Sequence, residues 1–157
     1  MEEALPSSGP IQAAVYPSIS YDEFGRLLRK FGFPAEPVAE NDRFGYRTLA
    51  EPRFTAWMQT PFKGRPDEFA AVFLHGFLDL PPAVALASVQ ALNWKLMVAH
   101  VAASGFGRLA VAHTLIVYGG ITELHLRDQL WHWSRDLHRV RDEVRKQARL
   151  AAGATLH

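Results

Sequence analysis

The apolar positions change period several times along the chain. Phe24, Leu27, Leu28 and Phe31 recur at three and four residues and mark one face of a helix. Ser20-Tyr21-Asp22-Glu23 just ahead of them is a capping box, worth roughly 1 kcal/mol, and Gly32 supplies a left-handed exit. From Arg43 to Leu78 the period falls to near two, which predicts strands over 43–49, 53–60 and 68–78, broken by Glu51-Pro52 and by the loop at 61–66. In the third strand Phe69, Phe73, His75 and Phe77 point one way and Ala70, Val72, Leu74 and Leu78 the other, so both of its faces read as covered.

Pro81-Pro82 suits a first helical turn, and the helix predicted over 81–93 carries no charge at all. A helix apolar all round is usually buried on more than one side, and a subunit contact is one way to achieve that. The chain then alternates from Lys95 to Ala103, turns through Ser104-Gly105-Phe106-Gly107, and alternates again from Arg108 to Tyr118, the pattern of a β-hairpin. Gly119-Gly120 ends it, Thr122 can cap, and a helix is predicted over 122–150. Within that helix Leu126, Leu130, Trp133, Leu137, Val140 and Val144 form a heptad seam suited to packing on the sheet, whereas Trp131 and Leu124 lie off it. The order α-β-β-β-α-β-β-α is that of an α+β protein and lacks the βαβ alternation of a nucleotide-binding parallel sheet.

Residues 1–19, rich in Pro, Ser and Ala, read as a flexible arm; 20–150 read as one domain and 151–157 as a tail. The absence of cysteine excludes disulfides and cysteine-type zinc sites and favours a cytoplasmic location. The first residues have no basic-then-apolar run, so no signal peptide is expected, and no stretch is long and apolar enough to span a membrane. Net charge is +1, with 17 basic and 16 acidic residues, so the molecule as a whole does not attract nucleic acid. Six basic residues between Arg135 and Arg149 are interleaved with Asp136, Asp142 and Glu143, which weakens a nucleic-acid reading of the last helix.

The chemistry-bearing candidates are histidines. If Ala103 faces Arg108, His100 lies opposite Val111 with His113 a diagonal step away on the same face. Asp79 and His75 are the only other plausible contributors to acid–base work, and no third metal ligand is at hand. No catalytic set, metal site or cofactor is therefore expected. What remains is a binding surface, with Trp131, Phe73, Phe77, Trp94, Arg139 and Arg145 as candidate partner contacts and Val84, Val89, Leu92, Val98 and Val111 as candidate dimer residues.

The element order, the charge-poor segment DLPPAVALASVQALN, the hairpin after it and GGITELHLRDQL at the head of the last helix together resemble the YbjN-like family, bacterial proteins described as sensory-transduction regulators, whose fold is similar to type III secretion chaperones. Asp79, Asn93, Gly119, Gly120 and Thr122 match the family pattern; Leu124 and His125 stand where acidic residues are more common. The resemblance implies an antiparallel five-stranded sheet flanked by helices, a homodimer, no catalytic residues, and a chaperone-like or regulatory grip on a segment of a partner protein.

Overall fold

The computed structural model describes residues 14–105 and 107–154. In chain order its elements are β1 (Val15–Tyr16), β2 (Ile19–Ser20), α1 (Tyr21–Lys30), β3 (Ala35–Glu40), β4 (Arg43–Thr48), β5 (Thr55–Phe62), β6 (Arg65–Asp79), α2 (Leu86–Gln90), β7 (His100–Ala103), β8 (Arg108–Ile116), β9 (Ile121–Thr122) and α3 (Glu123–Ala154), with a 3-10 turn at Ala91–Trp94 after α2. The architecture is α+β and the main sheet is antiparallel, but it has seven strands where five were expected, ordered β3-β4-β5-β6-β8-β7 with β2 beside β6. The extra strands are short or compositionally disguised. β3 reads AEPVAE, and proline and glutamate are poor strand formers tolerated here because β3 lies at the sheet's edge. The signal that betrays it is Asn41-Asp42, both at positive φ, forming a tight two-residue turn into β4.

Residues 1–13 of the expected arm lie outside the described residues. The ordered chain begins earlier than Ser20, because Ile19 pairs with Phe69 and Val15–Tyr16 pair with β9, tying this segment to the head of α3. Tyr16 and Lys30 both bond the Glu123 carboxylate there. At the other end α3 runs to Ala154, so the tail is shorter than predicted. Ser20 does cap α1 by accepting from the Glu23 N–H at 3.2 Å, but the Glu23 carboxylate turns to Arg26 rather than completing the box.

The second helix is also shorter than its pattern. It begins at Leu86, after a turn closed by the Val84 N–H donating to the Pro81 carbonyl and with Ala85 extended ahead of it. Residues 95–99, expected to be strand, are irregular and are held by a side chain of α3 described below.

One core fills the space between the sheet and the helices. Phe24, Leu27 and Leu28 of α1, Val89 of α2 and the α3 seam from Leu126 to Val144 meet Tyr46, Ala56, Val72, Leu74, Leu109, Val111 and Leu115 of the sheet. Every residue of the predicted heptad seam is buried, so the seam packs on the sheet as expected. All three helices contribute to this one core, so the sheet is covered on one side only. The prediction that β6 is covered on both faces is thereby corrected: a long apolar run satisfied it on paper, yet Phe77 is 43% exposed.

Candidate functional site

The uncovered face is built by strict alternation. Cross-strand partners share a face, so the rows Gly45–Trp57–Phe73–Thr114 and Arg47–Thr55–His75–Ala112–His100 run across it. Along β6, Phe73, His75 and Phe77 form an aromatic file with Trp57 beside it. His75 stacks on Trp57 and Phe73 at centroid distances of 6.2 and 5.7 Å and meets the edge of Phe77 at 4.9 Å. The guanidinium of Arg43 lies 4.8 Å over Trp57, and that of Arg108 4.8 Å over Phe77, so a cation covers a ring at each end. Gly45 makes room for the indole: a Cβ there would meet the Trp57 ring at 3.0 Å and the Ala56 carbonyl closer still.

The Trp57 Nε1–H donates to His75 Nε2 at 2.6 Å, which makes that nitrogen the acceptor of a neutral imidazole. Burial is the main reason that the His75 pKa is held below its ordinary value of 6.5, and the nearby Arg43 charge pushes the same way. At the far end of the face, Pro61, Phe62, Ala71, Ile116 and Tyr118 line a mostly apolar cleft of about 380 Å³.

Both edges of the sheet are closed against strand addition. On β7, the Asn93 side chain takes the free backbone groups of Val101, its Oδ1 accepting from the Val101 N–H at 2.7 Å and its Nδ2 donating to the carbonyl at 3.1 Å. On β3, Pro37 offers no N–H, and Glu36 and Glu40 add charge. A partner is left with the face, not an edge.

The sequence-predicted residues separate. Phe73 and Phe77 lie on the open face. Trp94 is 94% exposed on the 3-10 turn, and Arg139 lines a cleft near it. Arg145 lines a different cleft, with Leu78 and Pro81. Trp131 packs on Phe33 at 5.9 Å, away from both. Of the candidate dimer residues, Val84, Val89 and Val111 are buried in the chain's own core, and Leu92 and Val98 are half-buried against it. The three valines have no surface to offer a second copy, because Val84 ahead of α2, Val89 on α2 and Val111 on β8 all turn into the same core.

The hairpin register differs from the predicted one by a single residue: Ala103 faces Leu109, so His100 faces Ala112. Because strand side chains alternate, this slip places His100 on the open face and His113 on the helix side, where it meets Gln129 at 3.1 Å. His75 and His100 share a row with Ala112 between them, and Asp79 sits at the end of the face beside Arg108 at 3.7 Å. Among the described residues no cluster of three or more His, Asp or Glu could hold a metal ion, and no helix is long and apolar enough to cross a membrane.

Sequence reading missed one polar device altogether. Asp136, in the sequence only one of three acids interleaved with the basic residues of the last helix, is fully buried, and its Oδ2 accepts from the backbone N–H groups of Met97, Val98 and Ala99 at 2.8, 2.8 and 3.0 Å. Several of the basic residues around it are engaged within the chain: Arg139 with the Lys95 carbonyl, and Arg141 with Glu51 and His138.

Fold and face together define a class: an α+β protein with helices on one side of an antiparallel sheet and a partly exposed aromatic file on the other. No family model and no curated protein matches the chain. Among solved structures its fold is similar to that of YbjN from E. coli, a suggested transcription regulator, with a TM-score of 0.56 and 12% identity over 78% of this chain and 88% of that one. The likeness is one of fold, and the fold is YbjN-like.

Proposed function

We propose that the chain is a non-enzymatic, cytoplasmic protein-binding module, regulatory or chaperone-like, that acts as a homodimer and receives an apolar segment of a partner protein on its open sheet face. The observation that carries this reading is the aromatic file Phe73–His75–Phe77 on the face that no helix packs against, half-buried at Phe73 and His75 and exposed at Phe77, on a sheet whose two edges are both closed. Exposed apolar surface of this kind, rimmed by charge, is typical of protein contacts. Arginine and acid balance each other along the rim, as in Arg47–Glu40 and Arg108–Asp79, which favours a protein partner over a polyanion. The regulator name attached to YbjN is in keeping with a binding role.

The test compares the wild type with a variant carrying Phe77→Ser and Ile116→Ser, two exposed positions on this face. Affinity capture from the native cell with mass spectrometry is expected to retain a partner on the wild type and lose it on the variant, with the melting temperature unchanged. Equal retention on both would move binding off the face. Turnover of a substrate that His75→Gln or His100→Gln abolishes, with the fold intact, would replace the binding reading with an enzymatic one.

A further inference from the structure

Trp57 is 2% exposed, and its indole N–H donates at 2.6 Å to Nε2 of His75, a half-buried side chain on the open face. The acceptor is one that a proton abolishes. Neutral imidazole offers a lone pair on Nε2 because its own proton sits on Nδ1, whereas imidazolium carries a proton on both nitrogens and offers none. A proton taken up at His75 therefore sets two N–H groups against each other and leaves the indole donor without a partner. Buried polar groups do not keep such an arrangement.

Only one of the two rings is free to move. Trp57 is capped by the Arg43 guanidinium at 4.8 Å and seated over Gly45, whose missing side chain leaves the ring its place. His75 borders solvent, and its cross-strand neighbours Thr55 and Ala112 carry no charge. The charged groups around it do not hold an imidazolium against the indole. On β4, Arg43 opposes a second cation more strongly than Glu40 of β3 favours one. Glu40 is in turn paired with Arg47 of β4 at 2.8 Å, and Glu36 of β3 stands opposite Arg47 as well. Arg53, ahead of β5, pairs with Glu51 at 4.0 Å, and Asp79 at the end of β6 faces Arg108 of β8 at 3.7 Å. His100 of β7 lies in the same row beyond Ala112 and adds no negative charge. Burial, the largest influence, also favours the neutral ring.

We infer that the Trp57–His75 pair is a proton-operated latch on the open face, closed with a neutral imidazole and opened when a proton at His75 turns that ring off the indole toward solvent. Opening breaks the aromatic file at its middle, since His75 meets both Phe73 and Phe77, at centroid distances of 5.7 and 4.9 Å. An apolar segment lying on the file then meets a cation where it had met a ring, so acid releases it. Because the closed state lowers the proton affinity of His75, the latch stays shut above pH 6.5 and opens as pH falls below that value. Its part in release rests on the binding reading of this face; the proton response of the two rings does not.

An NMR titration of the isotope-labelled full chain from about pH 8 to 5, following the Trp57 indole N–H and the His75 ring, tests it. The two are expected to titrate together with a midpoint below 6.5, while core amides keep their native shifts. His75→Gln, which keeps an acceptor but does not titrate, should hold the indole signal still across the range. His113→Gln, on the helix side of the sheet, should leave the transition intact. An indole signal that stays still while His75 titrates, or that moves only as the core unfolds, would overturn the latch. A partner captured through Phe77 and Ile116 is expected to leave the wild type below pH 6.5 and to stay on His75→Gln. Capture that persists in acid on the wild type would strike the part in release alone, and the absence of any such partner would leave the indole titration as it is, so the two readings fail separately.

Discussion

Asp136 is the residue on which the local structure near the open hairpin most depends. A single carboxylate oxygen collects three main-chain N–H groups from an irregular segment that has no strand to pair with. Hydrogen bonds to a charged acceptor are worth about 1.5–3 kcal/mol each, and a buried donor left without one costs about 1–3 kcal/mol. Asp136→Ala should therefore destabilise by at least about 3 kcal/mol in urea unfolding, and Asp136→Asn, whose carbonyl still accepts, by about half as much. Equal losses for both would mean that packing rather than hydrogen bonding fixes the segment. Neither the period of α3 nor its composition reveals this role. An aspartate amid arginines reads as a solvated counter-charge until the fold turns it inward.

At the level of elements, α1 sits so close to the sheet that Gly25 has no room for a side chain. A Cβ there would lie 2.3 Å from the Tyr46 ring, which cannot retreat because it is stacked on Tyr21 at 4.6 Å. Gly25→Ala should cost about 2–3 kcal/mol as α1 is forced off the sheet. Gly153→Ala, at a helical position with nothing within 4 Å, should cost nothing. Differential scanning calorimetry of the pair separates a packing effect from a helix-propensity effect. Asn93 sets a second test: with Asn93→Ala the Val101 amide loses its acceptor, and its hydrogen exchange should quicken at least about tenfold. The long elements were legible because each had a clean period: α1, β4 to β6 and the buried face of α3 stand where the pattern put them. The short strands β1, β2 and β9 carry two residues each, too few to show any period, and their pairing is decided by distant residues. The open face escaped for a related reason. Alternation records which side chains share a face, but not whether anything comes to lie on it, and a one-residue slip in the hairpin was enough to send His113 to the wrong side.

For the molecule as a whole, the pH response follows from two half-buried imidazoles. His75 and His113 both have their pKa lowered from 6.5, chiefly by burial. The unfolded chain therefore binds more protons than the folded one between the depressed values and 6.5, so stability is fully kept above that pH and declines as pH falls through the window. Urea midpoints should be lower at about pH 5.5 than at pH 7.5, with the drop reduced in a variant carrying His75→Gln and His113→Gln. A drop of the same size in that variant would assign the effect to other groups. The fold itself is shared with YbjN at a level of identity where partners need not be, so the open face argued above belongs to this chain's own residues.

The four tryptophans divide the molecule among themselves: Trp133 is sealed in the core, Trp57 is buried beneath the open face with its N–H on a histidine, Trp131 is half in solvent beside Phe33, and Trp94 is bare. Each therefore reports from a different territory. In variants that keep one indole at a time, emission colour and quenching would tell which territory an incoming molecule touches, so the chain arrives already fitted with its own optical map.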